Sequence, residues 1–171
     1  MIRPSKLDYF VGAFLSVIIN SAKKVPVLID ETETSKVLNF STDNGDYNVF
    51  LKYSTAIRHS AKRVDEKVKD KMTCDILFNE KEYKILTDGF TETDKRNFIV
   101  AVCTNGNKLT ENYIVVIPYD VAMRCLAVAN NSKARRITIT RLGKEGTYKC
   151  YGVNGSIKNA ESVFFDWQKY L

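Results

Sequence analysis

Residues 44–55 read NGDYNVFLKYST. Asn44-Gly45 is a strong hairpin-turn signal, and Tyr47 to Ser54 reads as one strand after it. Side chains alternate along a strand, so Asp46, Asn48, Phe50, Lys52 and Ser54 share a face. A lysine in an otherwise apolar strand needs a reason. Lys52 is either an edge charge that blocks strand pairing or part of a site.

Working outward toward the N-terminus, Lys36 to Thr42 reads as the partner strand, and Val25 to Ile29 as a shorter one with Pro26 at its start. Ser5 followed by Asp8 is a capping-box start. Leu7, Phe10, Val11, Phe14, Leu15, Ile18 and Ile19 then recur at steps of three and four, the stripe of a buried helix. Its apolar run is short for a membrane span, and no cleavage site of a secretory signal is evident. The expectation is a cytoplasmic protein without membrane association.

Toward the C-terminus, residues 55–73 are strongly charged, carrying Arg58, His59, Lys62, Arg63, Lys67, Lys69 and Lys71 against Asp65, Glu66 and Asp70. Ile57, Ala61, Val64 and Val68 allow a thin helical stripe, and a basic loop is the alternative. Cys74 to Phe78 is apolar. Asn79, with Glu82 three residues later and Gly89 as a stop, marks a helix. Asn97 to Cys103 and Tyr113 to Ile117 read as strands. Pro118 opens a helix over Asp120 to Ala129. Arg136 to Leu142 and Thr147 to Val153 form a hairpin across Gly143 to Gly146. The aromatic tail from Asn159, with Phe164, Phe165, Trp167 and Tyr170, docks on the body as a strand or short helix.

The fold class expected is mixed α/β over residues 1–171 as a single domain. A central mixed sheet is flanked by helices, with a core over 1–103 and an extension over 104–171 ending in a β-hairpin. The 171 residues carry 26 basic and 20 acidic side chains, a net charge of +6 that favours an anionic partner. Cys74, Cys103, Cys125 and Cys150 lack metal or thiol-redox spacing, and His59 is the sole histidine. Neither a histidine-rich metal site nor a phosphate-binding loop is present in the sequence.

The order helix, three strands, helix, strand resembles the core of the PD-(D/E)XK, or restriction-endonuclease-like, superfamily, and Lys52 stands where that family places its lysine. The resemblance implies a Mg²⁺ site built from a second-strand acid and a third-strand acid two residues before the lysine. Asp43 can stand for the first acid. Phe50 occupies the position of the second and cannot ligate a hard cation. Asp46 shares the face but lies about 20 Å from Lys52 at ~3.3 Å per residue. Asp8 on the first helix is a displaced candidate.

The reading that follows is a nucleic-acid-binding protein on a restriction-endonuclease-like scaffold without nuclease activity and without a cofactor. Lys52, Arg58, Lys62, Arg63, Arg135, Arg136 and Arg141 are its candidate phosphate contacts, and Tyr148 its candidate stacking residue. One alternative is a divergent Mg²⁺-dependent nuclease using Asp43, Asp46 and Lys52. Another is a protein-interaction or regulatory factor of a phage or mobile element. A protein partner is compatible with all three readings.

Overall fold

The computed structural model describes residues 5–22, 27–31, 35–42, 45–64, 67–88, 90, 95–106, 108–164, 166 and 169–170. The fold is mixed α and β. Helix α1 is Lys6–Ala22, followed by strands β1 Val27–Glu31, β2 Ser35–Thr42 and β3 Gly45–Ser54. Strands β4 Arg58–Val64 and β5 Lys67–Phe78 come next, then α2 Glu80–Asp88, β6 Arg96–Asn105, β7 Lys108–Pro118 and α3 Tyr119–Cys125. Strands β8 Arg135–Leu142, β9 Thr147–Tyr151 and β10 Glu161–Phe164 complete the chain, with one 3-10 turn at Ile157–Asn159 before the last.

The strands form two five-stranded sheets. The first has the order β1-β2-β3-β6-β7 and is mixed, because β3 and β6 run parallel. The second has the order β10-β9-β8-β5-β4 and is antiparallel throughout. Each sheet draws strands from both sides of residue 103, so the expected division into core and extension has no counterpart in the topology.

Three layers result. Helix α1 lays Leu7, Phe10, Val11, Phe14 and Ile18 on one face of the first sheet, against Leu38, Phe40, Tyr47, Val49 and Leu51. Each such side chain contributes about 1.5–3 kcal/mol when fully buried. Asp8 caps the helix through the Ser5 hydroxyl and backbone N–H, both at 2.8 Å, and receives Lys36 Nζ at 2.6 Å. The expected capping box is therefore present, and Asp8 is held there and not at a metal site.

The other face of the first sheet packs on the second sheet. Phe50, Ile99, Ala101, Cys103, Val115 and Ile117 meet Met72, Cys74, Ile76, Phe78, Ile137, Ile139 and Cys150. The mixed sheet is thus flanked by a helix on one side and by a sheet on the other, not by helices on both. Helices α2 and α3 contribute Leu86, Val121, Ala122 and Cys125 to the same apolar layer.

Residues 58–64 and 67–73 are strand and neither helix nor loop. They form the β4–β5 hairpin, and the apolar run Cys74–Phe78 is the continuation of β5. This hairpin stands between β3 and α2, so the helix, three-strand, helix, strand order is interrupted. Met72, Cys74, Ile76 and Phe78 are buried while the residues between them are not, the period-two signature of a half-buried strand. Pro118 opens α3 as expected, but the helix ends at Cys125. Val25, Pro26, Asp43, Asn44, Asp65, Glu66, Gly89, Phe165 and Trp167, each named in the sequence analysis, lie outside the described residues.

Candidate nucleic-acid interface

The second sheet has one face against the core and one face outward. Residues directly opposite in an antiparallel pair share a face, so the register assigns every side chain. Arg58 opposes Thr73, Lys62 opposes Lys69 and Ser60 opposes Lys71. Thr73, Asp75 and Leu77 oppose Thr140, Thr138 and Arg136. Thr138 opposes Tyr151 and Thr140 opposes Lys149, which in turn opposes Ser162. One face therefore gathers Arg58, Lys62, Lys67, Lys69, Lys71, Arg136 and Lys149 around Asp75, the one described acid its strands place there, and Lys69 also meets Glu145 of the β8–β9 turn at 3.6 Å.

This face is open. Arg58, Lys67, Ser162 and Phe164 are exposed, and Lys62, Lys69, Lys71, Arg136, Lys149 and Tyr151 are half-buried. Leu77 is 61% exposed. Helix α1 lies on the first sheet, and α3 contributes to the apolar layer between the two sheets. Beyond Asp70, β5 has no partner but β4, and both Ala61 and Val68 on the opposite face are exposed. The end of the β4–β5 hairpin is thus a two-stranded basic ribbon projecting from the sheet.

Asp75 does not cancel the charge of the face. Its carboxylate accepts from the Thr138 hydroxyl at 2.7 Å and from Arg58 at 2.7 Å, with Arg136 Nε 3.8 Å away. Burial pushes its carboxyl up, but Thr138 and the two guanidiniums outweigh burial and hold it below the ordinary carboxylate value. It stays ionised and positions Arg58 and Arg136 side by side. Tyr151 stands near the same group, close enough to feel the charges of Asp75, Arg136 and Arg58.

The residues expected from sequence divide cleanly. Arg58, Lys62 and Arg136 lie on the open face. Arg63 is exposed on the opposite side of the ribbon, opposite Val68. Arg135 turns inward, its guanidinium 3.8 Å from the Tyr83 ring centre and bonded to the Leu126 carbonyl at 2.5 Å. Arg141 shares that inward parity and donates to the Glu145 carbonyl at 3.1 Å. Tyr148 is 1% exposed in the core between the sheets, so its ring cannot stack on a base. The outward-facing tyrosine of the hairpin is Tyr151, which is half-buried. Lys67, Lys69, Lys71 and Lys149 join the face although they were not among the expected phosphate contacts. Reading 67–78 as one strand was the signal that could have found them.

Lys52 is also not on a surface. Strand β3 is the middle strand of the first sheet, with Ser35 and Ala101 on either side of Lys52, so the edge-charge explanation does not apply. The side chain is 4% exposed and donates to Glu82 Oε2 at 2.6 Å, with its ammonium 5.0 Å from the Phe78 ring centre. Burial lowers the Lys52 pKa in spite of the hydrogen bond it donates to that carboxylate. Phe50 is fully buried, 6.0 Å from both Phe78 and Phe90. Asp46 is exposed at the other end of β3, opposite Ser41, and is not brought to Lys52. Among the described residues no group of three histidine, cysteine or acidic side chains could hold a metal ion.

A cleft of about 390 Å³ adjoins the open face. Strand β4 stops opposite Thr73, so on that side β5 has no ladder partner from Cys74 to Phe78 among the described residues. The cleft lies there, lined by Ser54, Thr55, Ala56, Asp75, Leu77 and Asn79, with Lys52 and Glu82 at its buried end. Cys74, Cys103, Cys125 and Cys150 are free and buried. No described helix is long and apolar enough to cross a membrane. Comparison with protein-family models, with curated proteins and with solved structures gave no match for this chain.

Proposed function

We propose that this chain binds nucleic acid on the open face of the second sheet and along the β4–β5 ribbon, without cleaving it. The observation that carries the reading is the placement of Arg58, Lys62, Lys67, Lys69, Lys71, Arg136 and Lys149 on one sheet face around an ionised Asp75 already paired with Arg58. Like charges gathered on one solvent-facing surface repel one another, and an anionic polymer relieves that repulsion while releasing its counterions. Binding without cleavage is supported by Phe50 standing where a metal-binding acid is needed and by the commitment of Lys52 to Glu82.

Fluorescence anisotropy with labelled DNA and RNA between about 50 and 200 mM salt tests the reading. The logarithm of the affinity is expected to fall linearly with the logarithm of salt, and the probes are expected to remain intact with Mg²⁺ or Mn²⁺. Absent or salt-insensitive binding overturns the proposal. Cleavage that is abolished by Lys52→Ala assigns the chain to the nuclease reading instead.

A further inference from the structure

We infer that the nucleic acid on this face is a single strand, with one base stacked on Tyr151 and a second unstacked base of the same strand held in the cleft on the far side of β5. The inference rests on the nucleic-acid reading above and specifies its substrate class.

The width of the five-stranded face argues against its entering a duplex groove. Five strands about 4.8 Å apart make a face roughly 19 Å across, while a B-form major groove is about 12 Å wide. A flat face of that width suits a strand laid across it, with phosphates on cations and bases on apolar surfaces. The face offers both. Arg136 on β8 and, further across the sheet, Arg58 on β4 lie to one side of Tyr151, and Leu77, opposite Arg136, leaves 61% of its surface in solvent.

The cleft adds a second feature that a duplex cannot use. It shares Asp75 and Leu77 with the face, so a strand on the face runs past its mouth. At about 390 Å³ it falls within the size range of small-molecule sites. Its walls carry the Ser54 and Thr55 hydroxyls and the Asn79 amide, which suit the hydrogen-bonding edge of a base. Base pairing hides that edge, and extracting a base from a duplex costs a few kcal/mol, whereas a single strand presents it freely.

The test compares a 20-nucleotide single strand, as DNA and as RNA, with the blunt duplex of the same sequence. The single strand is expected to bind at least ~10-fold more tightly. Tyr151→Ala is expected to weaken single-strand binding about 5- to 150-fold, the range for one stacked base, with Tyr151→Phe close to wild type. Ala56→Trp, at an exposed position on the cleft, is expected to weaken the same probe without changing the thermal unfolding midpoint. Equal or tighter binding of duplex, with losses confined to Lys62→Ala and Lys67→Ala on the ribbon, overturns the single-strand inference and leaves the nucleic-acid reading standing. No binding of any probe overturns both.

Discussion

One carboxylate oxygen of Glu82 accepts Lys52 Nζ at 2.6 Å and the backbone N–H of Asn79 at 3.0 Å. The Glu82 N–H in turn donates to Asn79 Oδ1 at 2.9 Å. A helix cap and a buried counter-ion are therefore the same residue, tying α2 to the middle of β3. Breaking one member of a buried pair costs about 3–5 kcal/mol, because a charge is left uncompensated. Lys52→Met is expected to lose stability in that range in urea unfolding. Lys52→Met/Glu82→Gln is expected to recover much of it, since Gln also caps. A single-variant loss below about 1 kcal/mol would show that the pair is not buried in solution.

The open-face assignment separates residues that composition treats alike. Lys71→Ala and Lys149→Ala are each expected to lower the salt slope of single-strand binding by about 0.7, the share of one phosphate contact. Arg135→Ala removes an inward guanidinium and is expected to leave the slope unchanged. A slope that falls equally for all three would place the interface elsewhere.

His59 ties the ribbon to the first sheet. Nδ1 lies 3.0 Å from Asp70 and Nε2 2.7 Å from Glu111, which also accepts the Tyr113 hydroxyl at 3.0 Å. Burial lowers the imidazole pKa, but the bonds to Asp70 and Glu111 outweigh it and raise the pKa above 6.5. A raised folded pKa contributes stability that is complete below the unfolded value, about 6.5, and lost as pH rises through the folded value. The unfolding midpoint is expected to fall over that window in the wild type and to flatten there in His59→Gln. Identical pH profiles for the two proteins would remove the clasp.

Asp8 works at the opposite end of the pH scale. The Lys36 hydrogen bond, helped by Ser5, lowers its carboxyl from 3.8 to about 2. Its contribution is present above pH 3.8 and is lost as pH falls toward 2. Asp8→Asn is expected to lower stability at neutral pH and to shallow the acid limb of the curve measured by circular dichroism. An unchanged acid limb would count against the cap.

Gly152 follows Tyr151 where β9 ends. A Cβ built there would lie 1.9 Å from the Cys125 carbonyl oxygen, a backbone atom that cannot yield without moving α3. Gly152→Ala is expected to lower stability by about 1–3 kcal/mol. Gly146→Ala, with open space around it, serves as the control, and equal midpoints for the two would contradict the close approach.

Where local pattern and environment agree, the elements were legible. The period of Leu7 to Ile18, the cap at Ser5 and Asp8, the Asn79–Glu82 box and the hairpin across Gly143 all depend on neighbours within a few residues. The strand 67–78 was harder to read. Its first half is charged because the ribbon faces water on both sides, and this hid the alternation that begins at Met72. With that strand unread, faces could not be assigned, and Tyr148 was preferred over Tyr151 although their parity is opposite.

The sequence by itself determined a mixed α and β chain, a strong positive charge and two basic stretches. Local propensity, turn chemistry and composition contain that information. Only the tertiary structure decided that the two stretches belong to one sheet, through the pairing of β5 with β8 across more than 60 residues of chain (Asp75 opposite Thr138). It also decided that Lys52 is a buried partner of Glu82 and not a surface cation. Register and burial arise from long-range packing, and a residue's charge does not reveal which way its side chain will face.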